Sequence, residues 1–168
     1  MIRKKILAAI VILLAFLLQT TVFQSIKLAD VVPNLMLVVT ITFAYLRGRT
    51  SGQIIGFICG IMLDMLYGTV LGLYAFIFMT IGFCVGFCQK FYFTDRLVLP
   101  IVLIASGDFL YCFYYYVTEF LMRGRLHFWF FFIHRFLPEM SYTTLVGVVL
   151  YRLLAMAEAS FCQKRKEV

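Results

Sequence analysis

The sequence Gly52-Gln-Ile-Ile-Gly56-Phe-Ile-Cys-Gly60-Ile-Met-Leu-Asp64-Met-Leu-Tyr-Gly68-Thr-Val-Leu-Gly72 has glycine at every fourth residue, except that Asp64 replaces one of them. Residues four apart lie along one face of an α-helix, so Gly52, Gly56 and Gly60 form a groove of bare backbone that ends at a carboxylate. Glycine inside a helix costs about 1 kcal/mol relative to alanine. In a membrane, however, small residues at this spacing let two helices approach closely. The stretch therefore predicts a transmembrane helix packed closely on another helix, either from the same chain or from a partner.

The composition around this stretch is that of an integral membrane protein. The chain has 168 residues, of which 64% are hydrophobic and 14% are charged, whereas a soluble domain is typically about 45–50% apolar. The length allows one small bundle but no additional soluble domain. The net charge of +7 comes from basic residues in short loops and at the ends, where they act as topology signals rather than as a nucleic-acid surface.

Apolar runs separated by short polar segments predict a single all-α domain, a bundle of six transmembrane helices. The predicted spans are residues 6–23, 33–46, 51–66, 71–91, 97–121 and 138–157, with an aromatic interfacial segment at 126–136. Pro33 is predicted in the first turn of the second helix. Gly82 and Gly86 form a second close-packing pair, in the fourth helix.

The distribution of basic residues predicts the orientation of the chain. Arg47 and Arg49 in one short turn are the clearest cytoplasmic marker. Ten lysines and arginines fall on the side of this turn, namely Arg3, Lys4, Lys5, Arg47, Arg49, Lys90, Arg96, Lys164, Arg165 and Lys166. Four fall on the other side, namely Lys27, Arg123, Arg125 and Arg135. The positive-inside rule therefore predicts that both termini of the six-span chain lie in the cytoplasm.

Some polar residues lie within the predicted spans. Asp108 is near the middle of the fifth helix, and Tyr115 and Glu119 fall on the same face. The carboxyl group of Asp108 is expected to be protonated or to pair with a tyrosine hydroxyl from Tyr111, Tyr114, Tyr115 or Tyr116. A proton relay needs a second titratable group at this depth, and the sequence identifies none. Arg152 in the sixth helix can extend its side chain to the cytoplasmic surface.

Other charged residues cluster at the predicted external ends of the helices. The acidic residues at these external ends are Asp64, Glu119 and Glu139, and the arginines there are Arg123, Arg125 and Arg135. Two interpretations are open: a ring of ion pairs within the chain, or a polar contact surface for a partner on the outer side.

Motifs for catalysis and for cofactor binding are missing from the sequence. It contains no Ser-His-Asp candidate, no HExxH, no phosphate-binding loop and no CxxC. The five cysteines are predicted to be small buried apolar side chains with no metal or disulfide, namely Cys59, Cys84, Cys88, Cys112 and Cys162. A binding or scaffold role, without enzymatic activity, cofactor or metal, is therefore the default expectation.

The order of several short motifs resembles the MreD family of rod shape-determining membrane proteins. The first helix ends in Leu17-Leu-Gln-Thr-Thr-Val-Phe23, and Pro33-Asn34-Leu35, Arg47-Gly48, the glycine–aspartate helix and Gly72-Leu73 follow in that order. Phe93-Thr94-Asp95, Pro100 and Leu137-Pro138 complete the pattern. Asn34 departs from the family, in which aspartate commonly follows this proline, so any role for a charge there is in doubt.

The resemblance implies a non-enzymatic scaffold of the cell-elongation (rod) complex. Members of the family associate with the single-span protein MreC, and they thereby help to couple cytoplasmic MreB filaments to RodA and its class B penicillin-binding protein. Their fold is similar to the six-helix substrate-binding subunits of energy-coupling-factor vitamin transporters. The alternative function is therefore a small-ligand binding subunit. Those subunits dock through an Ala-x-x-x-Ala pattern in helix one, which Ala8, Ala9 and Ala15 do not fit.

Overall fold

The computed structural model describes residues 2–25, 32–67, 71–88, 98–117 and 136–163, and these residues are almost entirely helical. Helix α1 (Ile2–Leu17) continues through a wider π-helical turn (Leu18–Val22) into Phe23–Ser25. The other helices are α2 (Leu35–Arg47), α3 (Arg49–Tyr67), α4 (Leu73–Phe87), α5 (Val98–Tyr116) and α6 (Leu137–Gln163). The all-helical prediction is confirmed for these residues, which contain no strand. The predicted interfacial segment at 126–136 lies outside them except for Phe136.

Three of the helices are long and apolar enough to cross a membrane by themselves. These are Arg49–Tyr67, Val98–Tyr116 and Leu137–Ala157, and shorter apolar helices are Ile6–Val22, Leu35–Arg47 and Leu73–Phe87. Membrane crossing by all six helices remains a prediction.

Helix α2 lies at the centre of the described bundle. It contacts α1, α3, α4, α5 and α6, and every residue from Leu35 to Tyr45 is buried. A helix that is apolar around its whole circumference is suited to such a position. The central position explains why α2 has only 13 residues, because longer helices surround it and it need not meet the lipid.

The N-terminus of α2 is held by polar side chains from three parts of the chain. Asn34 Oδ1 accepts a hydrogen bond from the Leu37 amide at 3.1 Å, and Gln19 Oε1, from the π-helical turn, accepts one from the Met36 amide at 3.0 Å. The Asn34 amide donates to Thr143 Oγ1 of α6 at 3.3 Å. The first amides of a helix have no partner inside it, so these bonds allow the helix to begin inside the protein.

The prediction that Pro33 lies in the first turn of the second helix is therefore wrong, because Pro33 lies two residues before that helix begins. The helix begins at Leu35 and Pro33 precedes the capping residue Asn34, because the Asn34 side chain satisfies the Leu37 amide. Asparagine caps a helix as well as aspartate does. The departure from the family at this position removes a charge but keeps the acceptor.

The turn between α2 and α3 is a single residue, Gly48. Its φ of 91° and ψ of −177° belong to a region that is essentially restricted to glycine. The two arginines beside it stack over aromatic rings, Arg47 over Phe43 and Arg49 over Phe87, each at 4.4 Å from the ring centroid. This tight turn places α2 and α3 side by side.

Candidate functional site

The glycine face of α3 packs against α4 of the same chain. A Cβ atom on Gly52 would lie 2.5 Å from the carbonyl oxygen of Gly82, and one on Gly56 would lie 2.8 Å from the carbonyl carbon of Phe78. A Cβ atom on Gly60 would lie 2.6 Å from the carbonyl oxygen of Tyr74. Because these neighbours are backbone atoms, α4 fills the groove. The sequence left open whether the glycine face packs on a helix of the same chain or of a partner, and these contacts are with a helix of the same chain.

The second glycine pair, Gly82 and Gly86, is the other half of the same contact. Gly82 faces Gly52, and a Cβ atom on Gly86 would lie 2.5 Å from Cα of Arg49. The helices run antiparallel, so later residues of α4 meet earlier residues of α3. The sequence presents the two glycine motifs separately, and only the register of the pair brings them together.

Asp64 caps the N-terminus of α4. Its Oδ1 accepts a hydrogen bond from the Tyr74 amide at 3.1 Å and its Oδ2 accepts one from the Ala75 amide at 3.0 Å. Gly72, which precedes the helix with a φ of 96°, has no side chain to do this. A carboxylate at a helix N-terminus is also favoured by the helix dipole.

The structure therefore differs from the expected ring of external charges at two residues. Asp64 is buried and bonded to backbone amides, which is neither an ion pair nor an exposed contact surface. Glu139 lies in the first turn of α6, close to Asp108. The remaining members, Glu119 and the arginines Arg123, Arg125 and Arg135, lie outside the described residues.

Asp108 of α5 is fully buried, and neither of its carboxylate oxygens has a hydrogen-bond partner in the part of the chain described. The expected bond to a tyrosine hydroxyl is therefore wrong for the described tyrosines. The ring of Tyr115 contacts that of Tyr111 at a centroid distance of 6.5 Å, and Tyr111 packs on Phe78 of α4 at 5.8 Å. Arg152 is exposed on α6.

The neighbours of Asp108 that sequence reasoning missed are Cys112 and Glu139, whose ligand atoms lie within 4.8 Å of the Asp108 carboxylate and of each other. The spacing of Asp108 and Cys112, four residues apart on one helix, is a signal that could have found the first of them. Nothing in the sequence pairs Glu139 with α5. The prediction that the cysteines are buried holds for Cys59 and Cys112 but is wrong for Cys84, which lies on the outer face of α4, where a thiol is apolar enough to meet lipid.

A groove of about 450 Å³ lies between α1 and α3. Both helices pack against α2, and the space between their outer faces stays open. The walls are mostly apolar. Ala8, Ala9 and Ser51 lie early in α1 and α3, whose later ends meet at the hydrogen bond between Gln24 and Tyr67, so these small residues lie toward one end of the groove, as Arg47 does. The lining residues are Ala8, Ala9, Ile12, Leu13, Arg47, Ser51, Ile54, Ile55, Ile58 and Met62. We call this space the α1–α3 groove.

Comparison with known proteins gives one family. The model of the family described as rod shape-determining protein MreD matches residues 2–162. No significant match was found among curated proteins or among solved structures. The match covers nearly the whole chain, and three of the described helices are long and apolar enough to cross a membrane; the chain therefore belongs to the MreD family of rod shape-determining membrane proteins.

Proposed function

We propose that this protein is a non-enzymatic scaffold of the rod complex, and that the α1–α3 groove receives the transmembrane helix of MreC. The observation that carries the proposal is the groove itself. It is an open, apolar space beside α3, whose glycine face is already filled by α4.

Several features of the groove suit a helix. Ala8, Ala9 and Ser51 stand together at one end, and small residues permit close approach of a second backbone. Ile54 and Leu13 are each 57% exposed, so a partner helix would find side chains to pack against. Lipid tails are as apolar as these residues, so packing and shape, rather than removal of apolar surface from water, would provide the affinity.

The wider role follows from the family rather than from the groove. A scaffold bound to MreC would help to couple cytoplasmic MreB filaments to peptidoglycan synthesis by RodA and its class B penicillin-binding protein. The setting is the bacterial inner membrane, with both termini in the cytoplasm. In that orientation the small-residue end of the groove, beside Arg47, lies at the cytoplasmic surface.

Co-purification with MreC in mild detergent tests the proposal. Ala9→Trp and Ile54→Trp narrow the groove at exposed positions and should leave the fold intact. We expect each to lower the MreC retained per chain about tenfold, equivalent to about 1.4 kcal/mol. The matched control is Val149→Trp on α6, because Val149 is 57% exposed, as Ile54 is.

The outcomes separate the two parts of the proposal. Normal retention of MreC by both groove variants would place the partner elsewhere on the surface. Failure of the unmodified protein to retain MreC would remove the scaffold role itself. Loss of MreC in Val149→Trp as well would mean that the groove variants report a general effect of added bulk.

The alternative, a small-ligand binding subunit similar to those of energy-coupling-factor transporters, has less support. Helix α2 occupies the centre of the described bundle and its residues from Leu35 to Tyr45 are buried, where such a subunit would need space for its ligand. Mass spectrometry of the purified protein decides this point, since a stoichiometric bound small molecule would favour the alternative.

A further inference from the structure

Asp108, Cys112 and Glu139 form a three-residue cluster that the scaffold role does not use. Asp108 and Cys112 lie one turn apart on α5, and both are buried. Glu139 enters from the first turn of α6 and is half-buried. One ligand atom from each residue, two carboxylate oxygens and a thiol sulfur, lies within 4.8 Å of the other two.

The cluster has an unmet electrostatic requirement. A carboxylate inside a membrane bundle is costly unless something compensates its charge, and the described residues offer neither oxygen of Asp108 a hydrogen bond. A second carboxylate a few ångströms away increases this cost, because two like charges repel strongly where the dielectric constant is low. Asp108 therefore lacks a compensating group among the described residues, and a metal ion or a shared proton could neutralise its carboxylate.

The chemistry of the third residue favours a metal ion. A shared proton needs only the two carboxyl groups, whereas Cys112 adds a soft sulfur ligand at the same point. Mixed sulfur and oxygen donors suit a borderline-soft divalent ion such as Zn²⁺ better than Mg²⁺ or Ca²⁺, which prefer oxygen alone. Structural zinc sites usually have four protein ligands, but catalytic zinc sites hold the ion with three protein ligands and a water, so three ligands are sufficient to bind it.

The dimensions also fit such an ion. Zinc binds sulfur at about 2.3 Å and carboxylate oxygen at about 2.0–2.2 Å, so tetrahedral ligand atoms lie roughly 3.3–3.7 Å apart. The present separations are at most 4.8 Å, and rotation of the three side chains can close the difference. The Phe109 ring packs edge-on against the Phe136 ring at 5.5 Å, which holds the start of α6 beside α5.

We propose that Asp108, Cys112 and Glu139 bind a divalent ion of the zinc class and thereby tie α5 to α6 inside the bundle. This proposal does not depend on the α1–α3 groove, which lies on other helices. The ion would neutralise the buried carboxylates and fix the position of α6, which also holds the N-terminus of α2 through Thr143.

Metal titration of the purified full-length protein tests the site. After treatment with a chelator, the protein in detergent is titrated with Zn²⁺ against a chromophoric competitor, and separately with Co²⁺. We expect one ion per chain, a higher melting temperature with Zn²⁺, and a thiolate-to-cobalt charge-transfer band. Cys112→Ser should abolish that band, and Cys112→Ser, Asp108→Asn and Glu139→Gln should each weaken Zn²⁺ binding at least tenfold.

The controls use two of the other described cysteines. Cys59→Ser and Cys84→Ser remove thiols outside the cluster and should leave the stoichiometry and the charge-transfer band unchanged. If Asp108→Asn does not fold, the other two variants still decide, because Cys112→Ser is nearly isosteric and Glu139 is only half-buried. The proposal is overturned if the unmodified protein binds no Zn²⁺ saturably, or if the three cluster variants bind it as well as the unmodified protein does. An infrared carboxylic-acid band that is lost in Asp108→Asn and insensitive to Zn²⁺ would likewise overturn it and assign a shared proton instead.

Discussion

At the scale of single residues, Gly48 is the position where the backbone itself requires glycine. With φ at 91° and ψ at −177°, any side chain would be strained by about 1–3 kcal/mol. We predict that Gly48→Ala lowers the free energy of unfolding by this amount, measured as a lower melting temperature in detergent. The effect arises from the turn between α2 and α3 and needs no partner.

Gly72 provides the control for Gly48. Its φ of 96° with ψ of −7° is left-handed, a conformation that asparagine tolerates, and a Cβ atom there would meet nothing within 4 Å. Gly72→Asn should therefore melt close to the unmodified protein. A Gly48→Ala variant as stable as Gly72→Asn would contradict the argument from backbone strain.

Asp64 is a second residue whose role can be isolated. In Asp64→Ala the buried amide of Ala75 and the partly buried amide of Tyr74 lose their acceptors, and an unsatisfied buried group costs about 1–3 kcal/mol. We predict a lower melting temperature together with faster hydrogen exchange at the start of α4. Asp64→Asn should be intermediate, because an amide keeps one acceptor oxygen but points its NH₂ group at the second backbone amide. Unchanged exchange in α4 for both variants would exclude the capping role.

At the scale of helices, the α3–α4 pair depends on backbone contact. A Cβ atom on Gly56 would meet the backbone of Phe78, which cannot rotate away, and overpacking typically costs about 1–3 kcal/mol. We predict that Gly56→Ala destabilises the protein in the absence of any partner, although alanine is the better helix former by about 1 kcal/mol. The measurement is thermal unfolding of the purified chain alone.

Gly147 of α6 is the matched helical control. A Cβ atom there would lie 3.2 Å from methyl groups of Ile104 and Val38, which are side-chain atoms that can shift by a few tenths of an ångström. Gly147→Ala should therefore destabilise less than Gly56→Ala does. If the order is reversed, the backbone contact between α3 and α4 is not what makes glycine necessary on α3.

The N-terminus of α2 gives a further prediction at this scale. Asn34→Ala removes the acceptor for the Leu37 amide, and loss of an N-cap costs about 0.5–2 kcal/mol. Asn34→Asp, which introduces the residue common in the family, keeps the acceptor and should be the milder change. Thermal unfolding of the two variants compares them, and equal melting temperatures for Asn34→Ala and the unmodified protein would count against the cap.

Across the whole molecule, the sequence predicts the helices far better than their arrangement. Hydrophobic runs and the Gly-x-x-x-Gly spacing are local signals, so the helices and the close-packing face of α3 could be predicted. Which helix fills that face depends on the register between Gly52 and Gly82, which is a tertiary property. The central position of α2 and the contact of Glu139 with Asp108 are also tertiary properties, because neither produces a repeating pattern in the sequence.

The ends of the helices sort into two layers, which permits a test of orientation. Helix α3 has 19 residues and is about 28 Å long at 1.5 Å per residue, enough to cross the hydrocarbon core. Arg49 and Gly86 meet at one end, whereas Gln24 donates a hydrogen bond to the Tyr67 hydroxyl at the other. The end of α1 and the start of α4, capped by Asp64, thus lie opposite the arginine turn.

The sequence predicts ten basic residues on the arginine side and four on the other, so the positive-inside rule predicts that the arginine layer is cytoplasmic. A fluorescent protein fused after Val168 should therefore fluoresce, since it folds in the cytoplasm. Alkaline phosphatase inserted directly after Ser25 should be active, since it requires the oxidising side of the membrane. The reverse pattern of activities would invert the orientation, and the small-residue end of the α1–α3 groove, beside Arg47, would then face outward. Partner helices would have to enter the groove from the opposite direction, so the reporters also constrain how MreC can bind.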